Sequence, residues 1–339
     1  MNYDINDLTF EEKLSLLTGK DFWQTYDANG KLDSVFMSDG PNGLRKCDGE
    51  HTEESIAMPC ISALANSWSE ETVFTDSATI ADECAEKGVD ILLAPGVNIK
   101  RTPLCGRNFE YFSEDPYLTA IAAVNEIQGI QSKGVIANVK HIAFNDQESH
   151  RSGGSVWLNE QEAREIMLLP FEYALSSKEG MGNAHAVMSA MNRIGTDWVG
   201  ANTNVLVDIM RGEWDFDGYC ITDMAASDTA YIMNYQDGIS RGTDLFLGSG
   251  SKTALSSFRK NASFCLRMRE ASHRILYAVC NYSAAMNGIT PETKVTAPVW
   301  WWQITIISAD CVFGVLTAGA AAMYVLCLIK QYGAKKEND

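Results

Sequence analysis

From residue 35 onward the chain alternates short apolar runs with longer stretches of mixed polarity, the pattern left by strands and the helices that follow them. The runs at 35–38, 62–67, 89–95, 135–141, 184–190, 218–222 and 243–247 predict strands. Helix start signals recur between them. Thr9 with Glu12, and Asn159 with Glu162, have the spacing of a capping box, in which two side chains satisfy backbone N–H groups left free by the first turn. The stretch 70–87 places Val73, Ile80, Ala81 and Cys84 on one helical face. Strands alternating with helices across residues 1–290 predict an α/β domain, a (β/α)8-type TIM barrel that is irregular or incomplete. A doubly wound sheet is disfavoured, since neither GxGxxG nor a Walker motif is present.

One segment breaks this alternation. Residues 300–329 are apolar over a length sufficient to cross a bilayer, which takes roughly 20 helical residues. Trp300, Trp301 and Trp302 at one end, and Tyr324 and Tyr332 at the other, suit the two interfaces. Lys330, Lys335 and Lys336 predict a cytoplasmic tail over 330–339 and a barrel facing outward, with 291–299 as linker. Asp310 lies about two turns inside, where snorkelling or helix pairing accounts for it more simply than transport does. The first residues, MNYDINDLTFEEKL, have neither the basic nor the apolar region of a signal peptide.

Composition narrows the partners. Hydrophobic residues make up 46% of the chain, enough for a sizeable core, and the net charge of −17 is spread along it. Such acidity argues against nucleic acid as a partner. Two of the nine cysteines, Cys311 and Cys327, fall in the apolar segment. The remaining seven, without CxxC or regular spacing, suggest buried small hydrophobes rather than a disulfide framework or a zinc site. No HExxH-like ligand spacing appears, and neither a metal nor a cofactor is expected.

In a barrel, chemistry gathers where strands end and loops open, so the residues after each predicted strand carry the argument. After 35–38 comes SDGPNGLR, in which Asp39 is followed by turn formers and could equally cap a turn. After 89–95 comes GRNFEYFSEDP, which combines Arg107 with carboxylates and aromatics, the mixture that holds sugar hydroxyls and C–H faces. The run 135–141 ends in Lys140-His141 and continues through Asn145, Gln147, Glu148 and Arg151. A buried Lys-His pair is costly unless something anionic or hydroxylated meets it. Further along stand Met191-Asn192-Arg193 and Ile221-Thr222-Asp223-Met224. A carboxylate at the end of GYCIT suits a nucleophile or base, although Asp223 could also cap a helix starting at Met224.

The ordered series SDGPNGLR, GRNFEYFSEDP, KHIAFNDQESHR, MSAMNRIG and ITDM resembles the barrel domain of family 3 glycoside hydrolases, the β-glucosidase type, over roughly residues 5–290. RILYAVCNYSAAMNG followed by the apolar segment further resembles a permuted bacterial subgroup, in which the barrel follows an α/β sandwich domain. The resemblance implies a retaining hydrolase of nonreducing-end β-linked sugars. Asp223 would form the covalent glycosyl-enzyme, and Asp39, Arg107, Lys140, His141 and Arg151 would grip the sugar. Met191 stands where the family commonly has tyrosine, and Met224 where tryptophan usually follows the nucleophile, so these two substrate-binding positions depart from the pattern. The acid/base glutamate of the β-glucosidase branch comes from the sandwich domain. A second branch uses an Asp-His pair on the loop that here reads KHIAFNDQESHR, which leaves His150 as a weak counterpart. The general acid is therefore expected from a separate or missing sandwich domain. The alternative is a noncatalytic, membrane-anchored carbohydrate-binding protein.

Overall fold

A computed structural model describes residues 4–47, 52–225, 233–248, 251–289, 293 and 301–336. It divides into two units, Met1–Pro291 and Glu292–Asp339.

In the first unit five strands, β1 (Met37–Asp39), β2 (Ile91–Leu93), β3 (Ile136–Ile142), β4 (Ala186–Ser189) and β5 (Tyr219–Thr222), pair in chain order, all parallel. Alternate residues point to opposite faces of the sheet. Met37, Ile91, Leu93, Ile136, Ala186, Met188, Tyr219 and Ile221 belong to one core cluster, whereas Leu92, Ala137, Val139, Val187 and Cys220 belong to another that meets the helices. Asp39, Lys140 and Asp223 share the parity of the first set, so the fold directs them into the mouth of the barrel. A register shift between Lys140 and Ile142 offsets β3 from β4 at this point, a bulge of the kind that re-aims side chains near functional sites.

Among the described residues the ring closes through isolated bridges. Leu245 bridges Ile221, Phe246 bridges Thr18, and Gln24 bridges Phe36, which returns the hydrogen bonding to β1. The run at 243–247, expected as a strand, makes only these isolated bridges. A second correction concerns 62–67, which is the helix Ile61–Asn66 rather than a strand. Its Ile61, Leu64 and Ala65 are buried at helical spacing, and so short an apolar run carries no period long enough to separate the two.

The helix signals fare better. Thr9 and Glu12 form a complete capping box on Phe10–Leu16, and Asn159 accepts from the Glu162 N–H. The helix Glu70–Glu86 buries Val73, Ile80, Ala81 and Cys84 against Pro116–Gln131. Of the seven cysteines outside the apolar segment, Cys84, Cys105 and Cys220 are buried, Cys47, Cys265 and Cys280 are half-buried, and Cys60 is exposed. The expectation of buried thiols thus holds for three of them.

The second unit holds the helix Trp301–Lys336, whose stretch Trp301–Lys330 is long and apolar enough to cross a membrane. Trp301, Ile306, Phe313, Leu316 and Leu326 are exposed along it. Trp300 lies outside the described residues.

Candidate active site

Asp223 follows β5 at the barrel mouth and is 6% exposed. Its backbone N–H donates to the Ser189 carbonyl at 3.1 Å, which extends the β4–β5 pairing and fixes where the side chain starts. Oδ1 accepts the Met224 N–H at 2.7 Å, and Oδ2 lies 3.3 Å from Arg151 Nη1 and 4.0 Å from His141 Nε2. The alternative reading of Asp223 as a helix cap runs into residues 226–232, outside the described residues.

Asp223 ends an arc of alternating charge. Arg151 Nε pairs with Glu148 at 3.3 Å, Glu148 lies 4.0 Å from Arg107 Nη1, Arg107 pairs with Glu110, and Glu110 lies 3.7 Å from Lys140 Nζ. Lys140 in turn lies 3.6 Å from Asp39. Lys140 and Glu110 are buried, so each needs its neighbours of opposite sign. Burial alone would push the Arg107 guanidinium down, but the Glu110 carboxylate paired with it helps to outweigh this and hold Arg107 above its usual range. The 107–111 turn can approach β3 because Gly96 lies beneath it, and a Cβ there would strike the Glu110 carbonyl.

His141 is fully enclosed. Burial, together with the charges of Arg107, Lys140 and Arg151, holds its imidazole well below the usual range, so it is neutral. Asn98 clamps its backbone, accepting from His141 N at 2.8 Å and donating to His141 O at 3.0 Å. Asn145 Nδ2 donates to Tyr111 Oη at 3.1 Å, and that hydroxyl lies 3.2 Å from His141 Nδ1. Burial raises the Tyr111 phenol, which therefore stays protonated beside Nδ1. The other ring nitrogen, Nε2, faces Asp223 and the cleft.

These groups surround a cleft of about 150 Å³ lined by Trp23, Asp39, Lys140, His141, Glu148 and Asp223 among others, including Arg107, Arg151 and Met224. The structure thus brings together seven of the eight residues singled out from the sequence. Met191 is the exception: it packs in the core with Ser152 Oγ 3.7 Å from its sulfur, and Met188 forms the cleft wall on that side. His150 is exposed at a turn and lines none of this cleft. Sequence reasoning did not single out Glu110, Tyr111 and Asn98, which brace the site, nor Phe22 and Trp23, which line it from the segment before β1. The aromatic pair beside an acidic turn former was a visible signal.

An acid amid cations and a neutral imidazole, at the C-terminal ends of parallel strands, is how barrel proteins carry active sites. Residues 24–261 match the family described as the glycosyl hydrolase family 3 N terminal domain, and the chain belongs to that family. It is 38% identical over 249 residues to thermostable beta-glucosidase B of Acetivibrio thermocellus, covering 71% of this chain and 32% of that protein. It is 37% identical over 231 residues to an exo-alpha-(1->6)-L-arabinopyranosidase of Bifidobacterium longum, covering 66% and 30%. Beta-glucosidase 3B of Thermotoga neapolitana, solved in complex with alpha-D-glucose, superposes with a TM-score of 0.76 at 30% identity, covering 84% of this chain and 43% of that one. The chain spans about a third of the length of the curated relatives it matches.

Proposed function

We propose that this chain is the sugar-gripping, nucleophile-bearing barrel of a retaining β-glucosidase-type hydrolase. The observation that carries the reading is the Asp223 carboxylate at the end of the charged arc, with Arg151 at 3.3 Å and the neutral His141 at 4.0 Å. Asp39, Lys140, Arg107, His141 and Arg151 hold hydroxyls of a nonreducing-end sugar, and Asp223 attacks the anomeric carbon to form a covalent intermediate. The names of the relatives, beta-glucosidases and arabinopyranosidases, support a glycoside as substrate.

A retaining mechanism needs a second carboxyl that donates a proton to the leaving group, about 5 Å from the nucleophile. Among the described residues the other carboxyls lining the cleft are Asp39 and Glu148, and both already face cations, Lys140 at 3.6 Å and Arg151 at 3.3 Å. This supports the reading that the general acid comes from a sandwich domain, in the same protein or a partner chain. The apolar helix Trp301–Lys330 supports attachment to a membrane in a single pass, with the barrel outside and the lysine-bearing tail in the cytoplasm, as in the permuted subgroup.

The test uses an activated 2-deoxy-2-fluoro glucoside with a dinitrophenolate leaving group, which needs little acid assistance. Mass spectrometry of the full chain should find the sugar on the Asp223 peptide. A chain that binds the sugar and yields no adduct would show that Asp223 is not a nucleophile.

A further inference from the structure

Glu148 stands between the two arginines of the cleft and has no role in the chemistry proposed above. Its Oε2 pairs with Arg151 Nε at 3.3 Å, and its Oε1 lies 4.0 Å from Arg107 Nη1 and accepts from Asn145 Nδ2 at 2.9 Å. Asn145 also donates to Tyr111, whose hydroxyl meets His141. One carboxylate therefore ties together the two guanidinium groups and the support of the imidazole.

The way Arg151 is shared matters more. A guanidinium grips a carboxylate best as a fork, through two parallel N–H groups. Here Glu148 holds Nε at 3.3 Å, which fixes the plane in which the guanidinium lies, and in that orientation Asp223 receives a single contact, from Nη1 at 3.3 Å. Asp223 Oδ1 is already engaged by the Met224 N–H at 2.7 Å. A forked Arg151 would claim the lone pairs of Oδ2 that attack on an anomeric carbon requires.

We infer that Glu148 is a positioning residue, holding Arg107 and Arg151 in place and restraining Arg151 to one-point contact with Asp223. The inference rests on the reading of Asp223 as nucleophile. Without the Glu148 charge, Arg151 swings its fork onto Asp223 and Arg107 loses an anion on its cleft side.

The experiment labels the full chain with the same 2-fluoro glucoside at saturating concentration and reads two quantities separately: the rate constant and the final label per chain. Glu148→Gln should slow the rate constant on the order of 100-fold, the scale associated with displacing a reacting group by about 1 Å, while final labelling stays complete. A purely structural role would lower the final label and leave the rate constant of the remaining fraction unchanged, and that result overturns the inference, as does wild-type behaviour in both. Glu148→Asp keeps the charge on a shorter arm and should label at an intermediate rate. If the glutamine variant does not fold, the aspartate variant decides, with a wild-type rate overturning the inference. Absence of label on the wild-type chain would overturn the nucleophile reading and this inference together, an outcome distinct from failure of the variants alone.

Discussion

Asp244 gives the sharpest test of how the barrel holds its catalytic end. It is 1% exposed and lies in the 243–247 segment that completes the ring beside β5. Its Oδ2 accepts from Arg211 Nη2 at 2.7 Å and from the Cys220 N–H at 2.8 Å, and its Oδ1 accepts from Arg274 Nη1 at 2.8 Å. Asp244→Ala removes the acceptor of all three hydrogen bonds. The two arginines then differ, because the Arg211 side chain is 12% exposed and the Arg274 side chain 26%. Arg274 can turn to water, but burial already disfavours the Arg211 charge and Asp244 is its main compensation. Breaking a buried pair by removing one partner costs about 3–5 kcal/mol, and that is the loss expected from urea unfolding followed by tryptophan fluorescence. Arg274→Ala is the internal control: it leaves the Arg211 pair intact and should cost less, about 1–3 kcal/mol, the worth of leaving one buried acceptor unmet. Because Cys220 lies in β5 and Asp223 directly follows that strand, Asp244→Ala should also lose sugar labelling at temperatures where the folded fraction falls. A loss below about 1 kcal/mol for Asp244→Ala, or equal losses for the two variants, would refute the reasoning that Asp244 is the buried counter-charge of Arg211.

Three further outcomes follow from the same structure. Glu126, buried on Pro116–Gln131, has its carboxyl pushed up by burial from 4.5 to about 8. Between those values the folded chain keeps a proton the unfolded chain has released, so this stabilising contribution is complete below about pH 4.5 and lost as the pH rises to about 8. Glu126→Gln should raise the melting temperature near the upper end and flatten its pH dependence; an unchanged profile would place Glu126 in contact with water. Lys140→Met leaves Asp39 and Glu110 facing each other without their shared cation, and should weaken glucose binding by about 10- to 100-fold, the worth of one charged hydrogen bond; calorimetric titration with unchanged affinity would remove Lys140 from the sugar grip. Protease added to intact cells should digest the barrel if the lysine-bearing tail is inside, and full protection would reverse the proposed orientation.

Much of the site was legible because strand parity and turn residues are local. Asp39, Lys140 and Asp223 each follow a short apolar run, and period-two alternation alone sends them toward one side. The failures were equally physical. Ile61–Asn66 is too short to show a helical period, so its apolar residues passed for a strand. Met191 was expected in the cleft because it stands where the resembling family commonly has tyrosine, but Met188 is the side chain that reaches the wall. Glu110 and Glu148 looked like ordinary acids of a loop, since nothing in their spacing announces which cation each will meet.

The sequence by itself therefore determined the alternation of strands and helices, the apolar helix, and which charged residues end the strands, because these depend on neighbours within a few positions. Only the tertiary structure decided how those charges pair. The arc from Asp39 through Lys140, Glu110, Arg107, Glu148 and Arg151 to Asp223 joins residues as much as 184 positions apart in the chain, and whether a charge is paid for by a partner or by water is settled by burial at the mouth of a closed ring.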